Sequence, residues 1–305
     1  MKTEFKPHGV VVPMITPVTA AGALDEPAVD RRVDSLLAGG VEGIFVLGTT
    51  GEGNHVPRAF RRRLVERVNA RVRHRCQIYA GLGDVGPNDF FAANEFLRAG
   101  AAAVVVHPPI STPVPLHELG DWYRALLRQL DGALILYNMP LTTGVSIPLD
   151  TIAALAPHPK VIGIKDSENN RERHTELLRR LGDRKDFAIF VGVGALMEHG
   201  LKLGADGIVP SVGNLIPEVC HDLCASAKRG DWVEAETHFA RMNAVASLYQ
   251  KGRDLGQSLA ALKTALAHRG VCAPNVLPPL LPLTPGESAS LRSQMSHLQL
   301  LDEPR

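Results

Sequence analysis

The amino-acid sequence predicts an α/β protein built as a (β/α)8 TIM barrel with a C-terminal helical extension. Short apolar runs recur eight times along the first two-thirds of the chain, and amphipathic patterns separate them. A further helical stretch follows the eighth run. Eight such βα units over about 225 residues are what a closed parallel barrel requires.

The composition is that of one large folded unit. The chain has 305 residues, of which 45% are hydrophobic and 21% charged, as is usual for a globular protein with a sizeable core. The 33 basic and 32 acidic residues nearly cancel, so we expect no nucleic acid and no membrane surface as partner. We expect a catalytic barrel over residues 1–228 and a C-terminal helical region over residues 229–305.

The predicted strands are runs of Val, Ile and Leu without alternating polar residues, a pattern typical of strands covered on both faces. They span residues 10–15, 43–47, 77–81, 103–107, 133–137, 161–165, 188–192 and 207–210. The alternative is an open, doubly wound sheet. It is disfavoured because no GxGxxG motif joins the first strand to its helix.

The segments between the strands predict helices, for example over residues 26–38, 57–72 and 87–99. Pro27, Pro57 and Pro87 fit near the first turns, where the missing N–H is not needed. After the eighth strand, a helical pattern covers residues 216–269, with breaks near Gly230 and Gly252. A proline-rich tail over residues 274–283 precedes a final helix from residue 285 to about residue 300.

We expect a cytoplasmic protein. No apolar stretch approaches the ~20 residues of a spanning helix, and the first residues lack an apolar signal segment with a cleavage site. Cys76, Cys220, Cys224 and Cys272 form no CxxC pair. Cys220 and Cys224 flank His221 one helical turn apart, but two thiols make a poor zinc site, so we interpret them as core residues.

Lys165 ends an otherwise apolar strand. Burying an ammonium group is costly, so such a lysine is either paired or partly neutral. A neutral amine can attack a ketone to form a Schiff base. The alternative is a structural lysine whose head reaches solvent or a carboxylate such as Asp166.

Polar groups follow several predicted strands where barrel enzymes carry their chemistry. Residues 48–53 form a glycine-rich loop with two hydroxyls and several N–H groups for an anion. Tyr137 and Lys165 end neighbouring strands, which lie about 4.8 Å apart in a sheet. A phenol there could pass protons during Schiff-base chemistry. Together these features indicate an amine-nucleophile enzyme acting on a small anionic ketone.

Four motifs carry a family resemblance, and they read GTTGE at 48–52, YNxPxxTG at 137–144, GIKDS at 163–167 and GADGIVPSVGN at 204–214. In this order and spacing the chain resembles the dihydrodipicolinate synthase / N-acetylneuraminate lyase family of class I aldolases. The resemblance implies a (β/α)8 barrel with a helical extension, usually a homotetramer, with no metal and no other cofactor.

The resemblance also implies roles for single residues. Lys165 would form the Schiff base with a pyruvate-type carbonyl, and Tyr137 would donate and accept protons. Thr49 and Thr50, with their backbone N–H groups, would hold the carboxylate of the 2-oxo acid. Val209, through its backbone, and Gly192 would complete the substrate-binding set.

The sequence departs from both named activities of the family. The synthases carry an arginine where this chain has Thr142, and a tyrosine pair where residues 107–111 read HPPIS. The lyases carry an Asp-Glu pair where residues 194–195 are Gly and Ala. His55, His107, Thr142 and Ser211 are therefore only candidates for contacting a second substrate.

These observations favour a pyruvate-dependent lyase that cleaves or dehydrates a 2-keto-3-deoxy sugar acid or a related 4-hydroxy-2-oxo acid. One alternative is 4-hydroxy-tetrahydrodipicolinate (dihydrodipicolinate) synthase. A second is a non-catalytic protein that binds 2-oxo acids.

Overall fold

The computed structural model describes residues 6–83 and 89–301, and within them eight parallel strands close into a barrel. Each strand pairs with the next along the chain, and the ring closes where Gly9 of β1 pairs with Gly207 of β8. The closed ring confirms the predicted barrel, and the open-sheet alternative is wrong. The strands are β1 Gly9–Pro13, β2 Gly43–Val46, β3 Gln77–Gly81, β4 Ala103–Val106, β5 Ala133–Asn138, β6 Val161–Asp166, β7 Ala188–Val191 and β8 Gly207–Ile208.

Five of the strands end earlier than the sequence predicts, and the largest differences, of two residues each, are at β1 and β8. The side-chain amide of Asn214 bonds the backbone N–H of Ile15 at 3.1 Å and the carbonyl of Pro13 at 2.9 Å. These bonds replace the strand ladder at the end of β1. At β8, Val209 still bonds Val191, but Pro210 has no N–H to extend the ladder.

The interior of the barrel is filled by side chains from alternate strand positions, as expected for a small closed barrel. The other strand side chains point outward and pack against the apolar sides of the surrounding helices. The interior set comprises Val11, Phe45, Tyr79, Ala103, Val105, Ala133, Ile135, Tyr137, Ile162, Ala188, Phe190 and Val209.

In the described part of the chain, one α-helix lies between each pair of successive strands, except between β5 and β6, where two lie. The predicted helix 26–38 is confirmed, and the predicted helix 57–72 starts one residue later because Pro57 is its N-cap. The predicted start of the third helix, including Pro87, lies outside the described residues. The barrel helices are α1 Glu26–Ala38, α2 Arg58–Val72, α3 Asp89–Arg98, α4 Leu119–Gln129, α5 Pro140–Thr143, α6 Leu149–Leu155, α7 Arg171–Leu181 and α8 Met197–Lys202.

Four further helices follow β8, and the predicted breaks separate them: α9 Pro217–Arg229, α10 Trp232–Gln250, α11 Leu255–His268 and α12 Pro285–His297. Gly230 ends α9 at φ +77°, a conformation that glycine adopts without steric cost. Asp254 and Gln257 form a capping box that starts α11. Of the helices in the described residues, none combines the length and apolar character that crossing a membrane requires.

Candidate active site

Lys165 and Tyr137 face each other across the β5–β6 pair at the carboxyl end of the barrel. The strand register pairs the two residues, and both side chains are buried. The Nζ atom of Lys165 lies 4.2 Å from the centroid of the Tyr137 ring and 4.9 Å from that of Phe45. Among the described residues, Nζ has no ion-pair or hydrogen-bond partner. The amine is therefore held by aromatic faces rather than by a carboxylate.

Asp166 points away from Lys165, because successive side chains of a strand face opposite sides of the sheet. Its carboxylate accepts hydrogen bonds from Arg173 Nε at 2.8 Å and from Asn138 Nδ2 at 2.9 Å. The alternative in which Asp166 pairs with Lys165 is therefore wrong. The Asp166–Asn138 bond instead ties together the ends of the two strands that carry Lys165 and Tyr137.

Glu168 extends this outward-facing polar network. Its Oε2 atom accepts hydrogen bonds from Ser146 Oγ at 2.5 Å and from Asn138 Nδ2 at 3.0 Å. Burial acts to raise the pKa of Glu168, but the bonds from Ser146 and Asn138 and the charge of Arg173 outweigh it and lower the pKa below its usual value. Glu168 is thus an ionised support for the strand ends.

The glycine-rich loop after β2 brings the hydroxyl of Thr49 to the phenol of Tyr137. Thr49 Oγ1 lies 3.2 Å from Tyr137 Oη, within hydrogen-bond distance. The loop begins at Leu47, whose φ of +59° is unusual for a branched residue. A Cβ on Gly53 would lie 1.9 Å from the carbonyl oxygen of Leu47, so the tight return of the chain requires glycine.

A cavity of about 440 Å³ opens above Lys165, and it brings together most of the predicted site. Lys165 is the one charged residue among the described residues that line it. The other lining groups are mainly hydroxyls, amides and apolar side chains. They are Pro13, Thr49, Thr50, Tyr137, Met139, Pro140, Leu141, Ser167, Asn169, Gly192, Val193, Val209, Ser211, Gln250 and Leu255.

Gly192 and Val209 shape the wall beside the lysine. A Cβ on Gly192 would lie 2.0 Å from Ser167 Oγ and 3.1 Å from Lys165 Cε, so this position leaves room for the lysine side chain. The backbone N–H of Val209 already bonds Val191 at 2.9 Å. If a substrate bonds the backbone of Val209, the carbonyl oxygen is therefore the group that accepts the bond.

Three of the candidate second-substrate residues line a different space. His55, His107 and Thr142 border a smaller cavity of about 160 Å³, which shares Thr49 and Tyr137 with the larger one. The His107 ring centroid lies 6.1 Å from that of Tyr137. Of the four candidates, Ser211 alone lines the cavity that contains Lys165.

Gln250 and Leu255 also line the cavity, although no sequence motif pointed to them. They close the cavity from α10 and the start of α11, in the helical extension. Gln250 Nε2 donates to Ser211 Oγ at 3.2 Å, and Ser211 Oγ lies 2.7 Å from Tyr249 Oη. No local pattern could identify residues that reach the site from some 85 positions beyond the lysine.

The cysteines lie outside this site. Cys220 is fully buried and packs in the apolar core, and Cys224 packs against the same core. Within residues 6–83 and 89–301, no group of three or more His, Cys, Asp or Glu side chains is arranged to hold a metal ion.

The comparisons with known proteins agree on one family. The profile of the Dihydrodipicolinate synthetase family matches residues 6–298. The 4-hydroxy-tetrahydrodipicolinate synthase of Thiobacillus denitrificans is 30% identical over 296 residues, which is 96% of this chain and 98% of that protein.

Solved structures show the same relationship. The dihydrodipicolinate synthase of Bacteroides thetaiotaomicron superposes with a TM-score of 0.91 at 30% identity, over 96% of this chain and 99% of that one. A prophage protein of the dihydrodipicolinic acid synthase family from E. coli K12, solved in complex with pyruvate, superposes with a TM-score of 0.89 at 26% identity, over 96% and 99% of the two chains.

Proposed function

Because the chain belongs to the dihydrodipicolinate synthetase family and is a lyase of the aldolase type, we propose that Lys165 forms a Schiff base with pyruvate or a related 2-oxo acid. The observation that carries this proposal is the placement of the Lys165 amine beside Tyr137 and Thr49 in one cavity. The pyruvate complex of the E. coli relative supports the choice of ligand.

Each residue of the cavity has a distinct role in this proposal. Thr49 and Thr50 bind the carboxylate, each charge-assisted hydrogen bond contributing roughly 1.5–3 kcal/mol. The Lys165 amine, once it has lost a proton, attacks the keto carbon, and a proton passes from its nitrogen through Tyr137 to the former keto oxygen to give a carbinolamine. Tyr137 then donates the proton with which the carbinolamine hydroxyl leaves as water, and a protonated imine remains beside the Tyr137 phenolate. Thr49 Oγ1, 3.2 Å from the phenol, orients that proton.

The polar groups around the remaining space suit a hydroxylated substrate. Ser167, Asn169, Ser211 and Gln250 line the cavity with hydroxyl and amide groups that can bond alcohols. The position that holds an arginine in the synthases is Thr142, which lines the other cavity. We therefore propose the cleavage or dehydration of a 2-keto-3-deoxy sugar acid or a related 4-hydroxy-2-oxo acid.

The relatives favour another second substrate. The T. denitrificans protein bears the name 4-hydroxy-tetrahydrodipicolinate synthase, and the chain covers 98% of it. The second candidate function is therefore the condensation of pyruvate with aspartate semialdehyde.

A substrate panel separates these functions. We would measure kcat/KM for 2-keto-3-deoxy acids of several lengths and for pyruvate with aspartate semialdehyde, with Lys165→Ala as the blank. We expect at least one 2-keto-3-deoxy acid to exceed the condensation rate by about 100-fold, the discrimination that about 2.7 kcal/mol gives. A faster condensation would establish the synthase instead. Imine formation without turnover of any substrate would indicate a binding protein.

We further propose that the enzyme is a homotetramer of the cytoplasm, with residues 1–228 as the catalytic barrel and 229–305 as a helical region. Leu141 and Leu281 each expose 78% of their surface, which supports contact with further copies of the chain. The four unpaired thiols suit a reducing compartment. Light scattering would give the number of subunits, and a monomer would contradict the tetramer.

A further inference from the structure

Glu52 is the central residue of the loop that carries Thr49 and Thr50. It adopts φ +54°, and only 2% of its surface is exposed. Its N–H donates to Thr49 at 3.1 Å, and its carbonyl accepts from His55 at 2.8 Å and from Val56 at 3.0 Å. The shape of the loop therefore depends on where Glu52 is held.

The side chain of Glu52 is held by the C-terminal region. Its Oε2 atom accepts a hydrogen bond from the backbone N–H of Leu277 at 2.7 Å, and its other oxygen forms an ion pair with Lys263 of α11. Lys263 is 1% exposed and also donates to the carbonyl of Asn275 at 2.8 Å. Burial lowers the pKa of Lys263, and the charge of Glu52 opposes that shift.

A buried ion pair of this kind is sensitive to the loss of one partner. Removing either charge leaves the other buried without compensation, whereas removing both leaves neutral groups that can pack. Glu52 reaches across more than 200 residues of sequence to Lys263, which lines neither of the two cavities. Its side chain thus anchors the loop to the C-terminal region, while Thr49 and Thr50 line the cavity that contains Lys165.

We propose that Glu52 and Lys263 are positioning residues that hold Thr49 and Thr50 at the carboxylate of the 2-oxo acid. This inference rests on the proposed function, because it assumes that pyruvate binds at Lys165. It assigns to the helical extension a part in substrate binding.

The test measures how the trapping of pyruvate by borohydride depends on pyruvate concentration. It uses full-length protein carrying Glu52→Gln, Lys263→Met or both substitutions. The concentration of pyruvate that gives half-maximal adduct should rise about 10–100-fold in each single variant, while saturating pyruvate still labels one lysine per chain. In the double variant the half-saturating pyruvate concentration should be at least threefold lower than in either single variant, since no charge remains unpaired. If the single variants do not fold, the proposal is supported when the half-saturating pyruvate concentration of the double variant is at least three times that of the wild type.

Thr264→Val is the matched control, because Thr264 is the next residue of α11 and is also buried, and within the described residues its hydroxyl bonds only the carbonyl of Ala260. It should lower the Tm without changing the half-saturation concentration. Variants of Glu52 and Lys263 that lose Tm but bind pyruvate within twofold of the wild type would overturn the proposal and leave the pair a purely structural role. A wild type that forms no adduct would refute the proposed function itself.

Discussion

Gly192→Ala tests whether the space beside Lys165 is required for catalysis. The added methyl would lie 2.0 Å from Ser167 Oγ and 3.1 Å from Lys165 Cε. To reach even 3.0 Å, Ser167 Oγ must retreat by about 1 Å, a rotamer change that costs roughly 0.5–1.5 kcal/mol. The lysine must also move by a few tenths of an ångström. The displacement of about 1 Å forced on Ser167, which lines the cavity beside the lysine, is of the size that lowers kcat/KM by about 100-fold, or about 2.7 kcal/mol.

The assay is steady-state turnover of the best substrate of the panel, together with the Tm. We expect kcat/KM to fall about 100-fold while the Tm falls by only about 2–4 °C, because a loss of about 1 kcal/mol gives that shift in a large domain. Gly194→Ala is the matched control, since a Cβ there meets nothing within 4 Å. If both variants kept kcat/KM within threefold of the wild type, the geometric reasoning would be refuted.

Two further predictions concern the phenol and its supports. Tyr137→Phe should lower kcat by about 10²–10⁴-fold, because it removes the proton donor. It should lower the free energy of unfolding by only about 0.5–1.5 kcal/mol, because the hydrogen bond to Thr49 is what the variant loses. A kcat within tenfold of the wild type would contradict this role. Ser146→Ala should lower the free energy of unfolding by about 1 kcal/mol at pH 7, because it removes a hydrogen bond to Glu168. This is less than a fully buried bond to a charged group contributes, since Glu168 is partly exposed. The pKa of Glu168 is lowered in the folded state, so its stabilisation is complete above the unfolded pKa of about 4.3 and lost as the pH falls through the folded value. In urea titrations the difference between Ser146→Ala and the wild type should therefore shrink as the pH falls below about 4.3 and through the folded pKa of Glu168, and a difference independent of pH would contradict the assignment.

The barrel could be predicted from the sequence because its signal is local. Runs such as residues 43–47 and 77–81 are apolar on both faces, and proline and glycine mark where the helices begin and end. The end of β1 could not be predicted, because it depends on Asn214, which lies 199 positions along the chain from Ile15. The end of β8 has a local cause, since Pro210 has no N–H to extend the ladder. The short helix α5 is also hidden, since its four residues are too few to show a period.

The same distinction between local signals and long-range packing applies to the candidate site. Lys165 and Tyr137 could be predicted as neighbours because they end consecutive strands, and the strand register confirms that pairing. The orientation of Asp166 follows from strand alternation, although the residues alone left its pairing with Lys165 open. The position of Gln250 could not be predicted, because it depends on how α10 packs back onto the barrel.

One measurement tests the central claim most directly. Incubation of the protein with pyruvate and borohydride, followed by peptide mass spectrometry, should place one reduced pyruvate on Lys165. The adduct should be absent from Lys165→Ala and reduced in rate in Tyr137→Phe. An intact wild-type protein without adduct, or an adduct that persists in Lys165→Ala, would contradict the account.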